Sequence, residues 1–445
     1  MEASTTTKNL RKTLGFKDLL GVAVGQIIGA GIMSLMGIAI GMTGRSVPFA
    51  FLIAALLSIV SIIPTIIVGG TVRLRGGHYT MSALLAGKQF AGVYIVLFII
   101  SNMTIALMAL SFSSYLLAFL PTANQAVVAT ICLTVFYILN MAGIDKMAKV
   151  QNLIIFIMCI ALGVLVVFGM PHITANYFSE DFMPKGYLGL MSAGSLLTFA
   201  TGGAFVIINL SAESKNPTKD IPWAIIISTL LVAVLYGAIA FVAAGVLPVK
   251  EVANQSLAKV AKHILPNSLY LFFMVCGAMF ALMSTLNATF ASATKPVLQA
   301  CVDGWFPKRL GYIHPKYKTP MVLLTIFYFI GLVPILIGFD IGILGSLTNI
   351  IGQIIFIIIN IAFYKLPNIL PDEWGRSKFK IKKSSLLIVS ALSVIGCLLQ
   401  IVLLAKDMSM AILMGNGFLL ILSIIYTMYR YKTGKVNMEI SYESE

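Results

Sequence analysis

The sequence predicts an all-α polytopic membrane protein with twelve transmembrane helices, and three observations carry the prediction. Of the 445 residues, 59% are hydrophobic and only 11% are charged, whereas soluble domains carry charge on roughly a quarter of their residues. Apolar runs long enough to cross a hydrocarbon layer about 30 Å thick occur twelve times, at 19–43, 47–72, 91–120, 124–144, 150–172, 188–212, 222–247, 268–294, 320–339, 341–364, 385–405 and 409–429. The basic residues are also sorted by side. With the N-terminus inside and strict alternation, the inner tails and loops hold 25 of the 31 Lys and Arg, and the outer loops keep only Arg45, Lys185, Lys250, Lys259, Lys262 and Lys406.

That bias follows the positive-inside rule and places both termini in the cytoplasm. It also accounts for the formal net charge of +15, which in a soluble chain would point to an acidic partner. No nucleic-acid partner is expected. The five cysteines, Cys132, Cys159, Cys276, Cys301 and Cys397, lie in or near apolar runs without metal spacing and read as packing residues. Residues 1–18 lack a short apolar core with a cleavage site, so no removable signal is expected. None of the twelve runs contains Asp, Glu, Lys or Arg, and the four histidines fall in loops or at run ends. A membrane enzyme would need such groups converging at the interface; no catalytic site and no assured metal site are expected.

The first run departs from a plain helix. In Val24-Gly25-Gln26-Ile27-Ile28-Gly29-Ala30-Gly31-Ile32-Met33, three glycines fall where helix propensity is poor. They either let helices pack closely or mark non-helical backbone, which survives at membrane depth only against protein or a cavity. The sixth run falters similarly at Phe199-Ala200-Thr201-Gly202-Gly203-Ala204-Phe205. Interrupted spans one and six point to an inverted-repeat transporter with its site at the midplane. The predicted organisation is an N-terminal tail (1–15), a first five-helix repeat (16–173), an outer loop (174–187), a second repeat (188–365), a basic linker (366–384), two further spans (385–430) and a C-terminal tail (431–445).

Between these landmarks, Arg73-Leu74-Arg75-Gly76-Gly77-His78-Tyr79 reads as a basic, glycine-kinked inner loop. Asn102 and Thr104 stand in the third span and Asn140 at the end of the fourth, with Gln151 and Asn152 opening the fifth. The outer loop 247–267 carries helical apolar spacing at Val252, Leu257, Val260 and Ala261, which predicts a short surface helix. The eighth span holds Ser284, Thr285, Asn287 and Thr289 ahead of an inner loop at 295–320, and the tenth holds Asn349 and Gln353. Glu213 and Asp220 read as solvated or gate-bonding charges at the inner end of span six.

An ordered set of motifs resembles the amino acid-polyamine-organocation transporter superfamily, in its amino-acid permease type. The set comprises Gly29-Ala30-Gly31-Ile32, Gly76-Gly77-His78-Tyr79, Asn140 and Gly143 with Val150-Gln151-Asn152, Lys215-Asn216-Pro217 with Ile221-Pro222, Asp303-Gly304-Trp305-Phe306-Pro307, His314-Pro315 and Thr319-Pro320. The resemblance implies a LeuT-like 5+5 inverted repeat plus two C-terminal helices. It implies that the amides of Ala30, Gly31 and Ile32 begin a half-helix suited to a carboxylate. The carbonyls of Gln26 and Ile27, with those near Phe199, Ala200 and Gly202, would then suit an ammonium. Phe199 takes the family's aromatic gate position, Asn102 the polar substrate-facing position, and Gln26 a position where some relatives use Asn.

Several positions depart from subgroups of that family. Phe205 stands where certain acid-resistance exchangers carry an acidic residue, and Thr289 near a position where they carry a bulky aromatic. Met158 stands where some relatives place a lysine that substitutes for sodium. Gly25, Ile28, Ser284 and Thr285 offer oxygen ligands for a candidate cation site, so sodium or proton coupling stays open. With no acidic residue in the spans, a neutral L-amino acid, small or medium and aliphatic, is the expected substrate. Alternating access as exchanger or uniporter is expected in a multi-pass bacterial cell membrane, with lipid as surroundings and a monomer or homodimer as the assembly. The competing readings are a polyamine or organic-amine carrier and a transporter-like amino-acid sensor.

Overall fold

The computed structural model describes residue 10 and residues 12–117, 119–339, 341–405, 408–438 and 442–443. Most of the expected N-terminal tail, part of the C-terminal tail and the outer-loop Lys406 lie outside these residues. Within them, ten helical stretches are long and apolar enough to cross a membrane, and two shorter apolar helices, Gln125–Met141 and Met321–Ile337, accompany them. All twelve apolar runs are therefore helical, ten of them at clear spanning length.

The first run is two helices, α1 (Phe16–Ile27) and α2 (Ala30–Thr43), separated by extended backbone at Ile28 and Gly29. α3 (Val47–Gly69) leads to a two-residue strand, β1 (Arg73–Leu74), and then to α4 (His78–Ala86). The third run is α5 (Lys88–Ser101) and α6 (Thr104–Leu117), with a turn at Asn102. α7 (Gln125–Met141) begins at Asn124, whose side chain accepts the amides of Ala126 and Val127. Such a cap satisfies donors that the first helical turn leaves free. α8 (Ile144–Gly169) starts ahead of the expected span, because residues 144–149 continue its helix.

The sixth run is α9 (Gly186–Thr201) followed by a ten-residue 3-10 helix, Ala204–Glu213. Runs of 3-10 helix this long are uncommon and mark strained or hinge-like segments. α10 (Pro217–Gly245) precedes two short outer helices, α11 (Val249–Val252) and α12 (Leu257–Ile264). The apolar side chains that carry the helical spacing there, Val252, Leu257, Val260 and Ala261, are buried. α13 (Asn267–Phe272) passes through a π-helical turn, Phe273–Met279, into α14 (Phe280–Val302). The helix thus takes in Lys295, which the sequence reading had put in a loop. α15 (Met321–Ile337) and α16 (Ile341–Ala362) follow. The basic linker contains α17 (Leu366–Ile369) and α18 (Pro371–Arg376) before α19 (Lys383–Ala405) and α20 (Met410–Lys432).

α14 is buried along most of its length, from Ala281 to Cys301, and α1 packs against it, α8 and α10. α2 and α3 pack on α9, α16 on α5 and α19, and α20 on α5. Large apolar side chains such as Phe156, Val234, Leu387 and Phe418 point outward from the periphery, as lipid-facing helices require. One end of the bundle gathers the chain's ends. Leu14 bridges to Ser214, and β1 pairs antiparallel with β2 (Tyr442–Glu443).

Candidate functional site

The two helix breaks face one another. Gly203 sits at φ +111°, and a Cβ there would meet the Gln26 carbonyl oxygen at 2.9 Å. Only glycine accepts that backbone and that approach without strain. The amide of Gly202 closes α9 on the Thr198 carbonyl at 2.8 Å, so the carbonyls of the last turn beyond it have no helical donor. Across from it, α2 starts at Ala30 behind Gly29 with no side-chain cap. The first-turn amides of Ala30, Gly31 and Ile32 carry the helix's partial positive charge. The packing explanation of the glycines holds at other atoms: a Cβ on Gly31 would stand 2.5 Å from the Ala200 Cα.

Between the breaks lies a cavity of about 230 Å³. Gln26, Ile27, Gly31, Asn102, Phe199 and Gly202 reach its wall, as does Thr285. Ile32 is buried, Ala200 packs on Gly31, and neither lines the cavity. Some expected ligand groups already have partners. The Tyr236 hydroxyl donates to the Ile27 carbonyl at 3.2 Å, the Asn102 amide donates to the Phe98 carbonyl at 2.7 Å, and the Gln26 side chain meets the Thr289 hydroxyl at 3.4 Å. Among the described residues, no Asp, Glu, Lys or Arg side chain lines the cavity.

The four residues of the candidate cation site do converge. Ser284 Oγ donates to the Gly25 carbonyl at 3.0 Å, and Thr285 Oγ1 reaches the carbonyls of Gly25 at 2.9 Å and Ile28 at 3.2 Å. Each hydroxyl has a second acceptor, the Ala281 carbonyl of its own helix, at 3.1 and 3.2 Å. Turning both protons onto Ala281 would leave four uncharged oxygens close together, a donor set that suits a hard cation.

Other wall residues escaped the sequence reading. His78 is in neither a loop nor a span: it opens α4 and is buried, with Nε2 at 3.1 Å from the Thr65 hydroxyl. α4 lies between the apolar spans, and burial pushes its imidazole from 6.5 down to about 3, so the ring is neutral. Its ring packs edge-on against Phe205, which meets Phe356 at 4.5 Å between centroids. Ser61, Thr198, Gln353 and Gln400 form a separate polar wall. The only sequence signal for them was polarity inside an apolar run, which more often marks interhelical bonding.

Towards the end that holds Leu14 and β2, polar contacts join the elements around the cavity. Asn209 Oδ1 accepts the His78 amide at 3.1 Å. Beyond Asn209 on the 3-10 helix and beyond the cavity residue Ser292 on α14, Lys295 Nζ pairs with Glu213 Oε1 at 3.1 Å, with side chains 4% and 1% exposed. Glu213 is thus a buried, paired charge rather than a solvated one. The buried Arg73 guanidinium donates to the carbonyls of Ser214 at 2.8 Å and Lys215 at 3.1 Å, just beyond the end of the 3-10 helix.

An apolar helical bundle whose two interrupted helices flank a cavity free of Asp, Glu, Lys and Arg has the architecture of a multi-pass membrane protein with room for a small molecule. The chain belongs to the amino acid permease family of the amino acid-polyamine-organocation superfamily, which residues 14–429 match. It is 26% identical to the "Branched-chain amino acid permease BcaP" of Bacillus subtilis, over 98% of this chain and 96% of that protein. It is 24% identical to the "Methylthioribose transporter" of the same organism, over 81% of this chain and 82% of that one. Similarity extends to the rabbit (Oryctolagus cuniculus) "Large neutral amino acids transporter small subunit 2", at 25% over 80% and 68% of the respective chains.

Proposed function

We propose that the protein carries a neutral L-amino acid, small or medium in size, across the cytoplasmic membrane by alternating access, as an exchanger or uniporter. The fold proposed for it is a LeuT-like pair of inverted five-helix repeats with α19 and α20 added, both termini cytoplasmic. The observation that carries this reading is the juxtaposition of the uncapped start of α2 with the open end of α9 across an uncharged cavity. A zwitterion offers a carboxylate to the first and an ammonium to the second at once. Its side chain then fills the remaining space, where Phe199 can cover it.

An amine without a carboxylate would leave the α2 amides unused and would find no acidic partner in the wall. Should transport be sodium-coupled, Gly25, Ile28, Ser284 and Thr285 would hold the ion, which would supply fixed positive charge beside the α1–α2 break. The test is thermal melting of the purified protein against a panel of amino acids and amines, since a ligand that binds the native state raises its stability. Neutral amino acids should shift the melt and polyamines should not; the reverse would replace this reading with the amine carrier. Counterflow in proteoliposomes, with and without sodium and a pH gradient, then separates transport from sensing and identifies the coupling.

A further inference from the structure

The polar wall formed by Ser61 of α3, Thr198 of α9, Gln353 of α16 and Gln400 of α19 is part of the same cavity, yet the two helix breaks do not explain it. Its hydrogen bonds run in one direction. Ser61 Oγ gives its proton to the Leu57 carbonyl at 2.9 Å, so it accepts from Gln400 Nε2 at 3.1 Å. Gln400 Oε1 is thereby turned to receive Gln353 Nε2 at 2.7 Å and the Thr198 hydroxyl at 3.0 Å. Gln353 Oε1 is left buried without a donor. The single proton of Thr198 has a second claimant, the Ser195 carbonyl at 2.6 Å. Neither Ser61 nor Thr198 thus has a proton to spare for Gln353 Oε1, the acceptor that the wall leaves open.

We propose that this wall is the side-chain subsite, and that it selects a neutral amino acid whose side chain ends in a hydrogen-bond donor, an amide or a hydroxyl, over an aliphatic one. The inference rests on the reading of the cavity as an amino-acid site and narrows it. A buried acceptor left unpaired is costly, and a ligand that brings the missing N–H relieves it. An aliphatic tail leaves Gln353 Oε1 unpaired, and a site built to hydrogen-bond its substrate rejects such analogues strongly. A cationic tail would bring protons but would find no carboxylate to offset its desolvation.

Asparagine and leucine share a branched shape and differ in the amide, so they form the test pair. Their dissociation constants are measured on the purified full-length protein and on Gln353→Leu, with Gln353→Met as a second variant that keeps the chain length. Asparagine should bind more tightly than leucine, and both variants should cut that preference by about tenfold or more while still binding leucine. Leucine preferred by the native protein, or a preference unmoved in a variant that still binds leucine, would overturn the subsite and leave the amino-acid site standing. Binding of neither would overturn both.

Discussion

Lys295 of α14 and Glu213 at the end of the 3-10 helix form an ion pair of 3.1 Å that is almost fully buried. The pair lies one helical turn beyond the cavity residues Ser292 and Asn209. Two charges held out of water recover their desolvation cost only from each other and from nearby hydrogen bonds. Removing one should cost more than removing both. Lys295→Met and Glu213→Gln are each expected to lower stability by about 3–5 kcal/mol, and the double variant should regain part of the loss. Thermal melts of the four proteins in a double-mutant cycle measure this coupling; additive effects would show that the pair contributes nothing as a pair.

The Arg73 guanidinium acts on the same segment from outside. It donates to the Ser214 and Lys215 carbonyls, which follow directly on the 3-10 helix. Hydrogen bonds from a charged donor are worth about 1.5–3 kcal/mol, so Arg73→Met is expected to destabilise by that order. Protease protection around residues 211–216 should fall with it. Unchanged protection there would mean that the Leu14 bridge alone holds the segment.

Spans were legible because a bilayer demands long apolar runs with paired backbone, and composition alone reveals those. The charged wall beneath the cavity was not. Lys295 and Glu213 each end an apolar run, and a run-ending charge reads as the start of a loop until a partner far along the chain is known. His78 was hidden in the same way by Gly76 and Gly77, which signal a turn, although the helix they introduce carries His78 inward. The motifs place Gln26, Asn102 and Phe199 relative to the breaks, and all three line the cavity. Gln353 and Gln400 lie 47 residues apart, and no local pattern connects them; only the packing of α16 on α19 does.

At the breaks themselves, Gly31 is a poor probe, because any side chain there would strike the Ala200 backbone and disturb helix packing whatever the ligand does. Gly203 separates the effects better. Its φ of +111° strains any L-residue, and a Cβ would press on the Gln26 carbonyl at the end of α1, 2.9 Å away. Gly203→Ala should cost about 1–3 kcal/mol of stability and abolish the substrate-induced melting shift in protein that remains monodisperse. A full shift retained in the variant would detach the 3-10 helix start from the site.

Phe199 is the remaining test of occlusion. It lines the cavity on the last turn of α9, three residues before Gly202, with its ring only partly buried. A side chain so placed can close over a ligand held at the breaks, and with its ring only partly packed against the core it stabilises the fold less than a fully buried aromatic would. Phe199→Ala should therefore leave the melting temperature of the ligand-free protein nearly unchanged. It should raise the half-saturation concentration for uptake, by about tenfold for a loss near 1.4 kcal/mol of ligand contact. Phe199→Tyr, which keeps the ring, should restore most of the affinity. If alanine instead lowers the melting temperature and leaves half-saturation alone, Phe199 is a packing residue and the gate must be sought among the other aromatic residues of the wall.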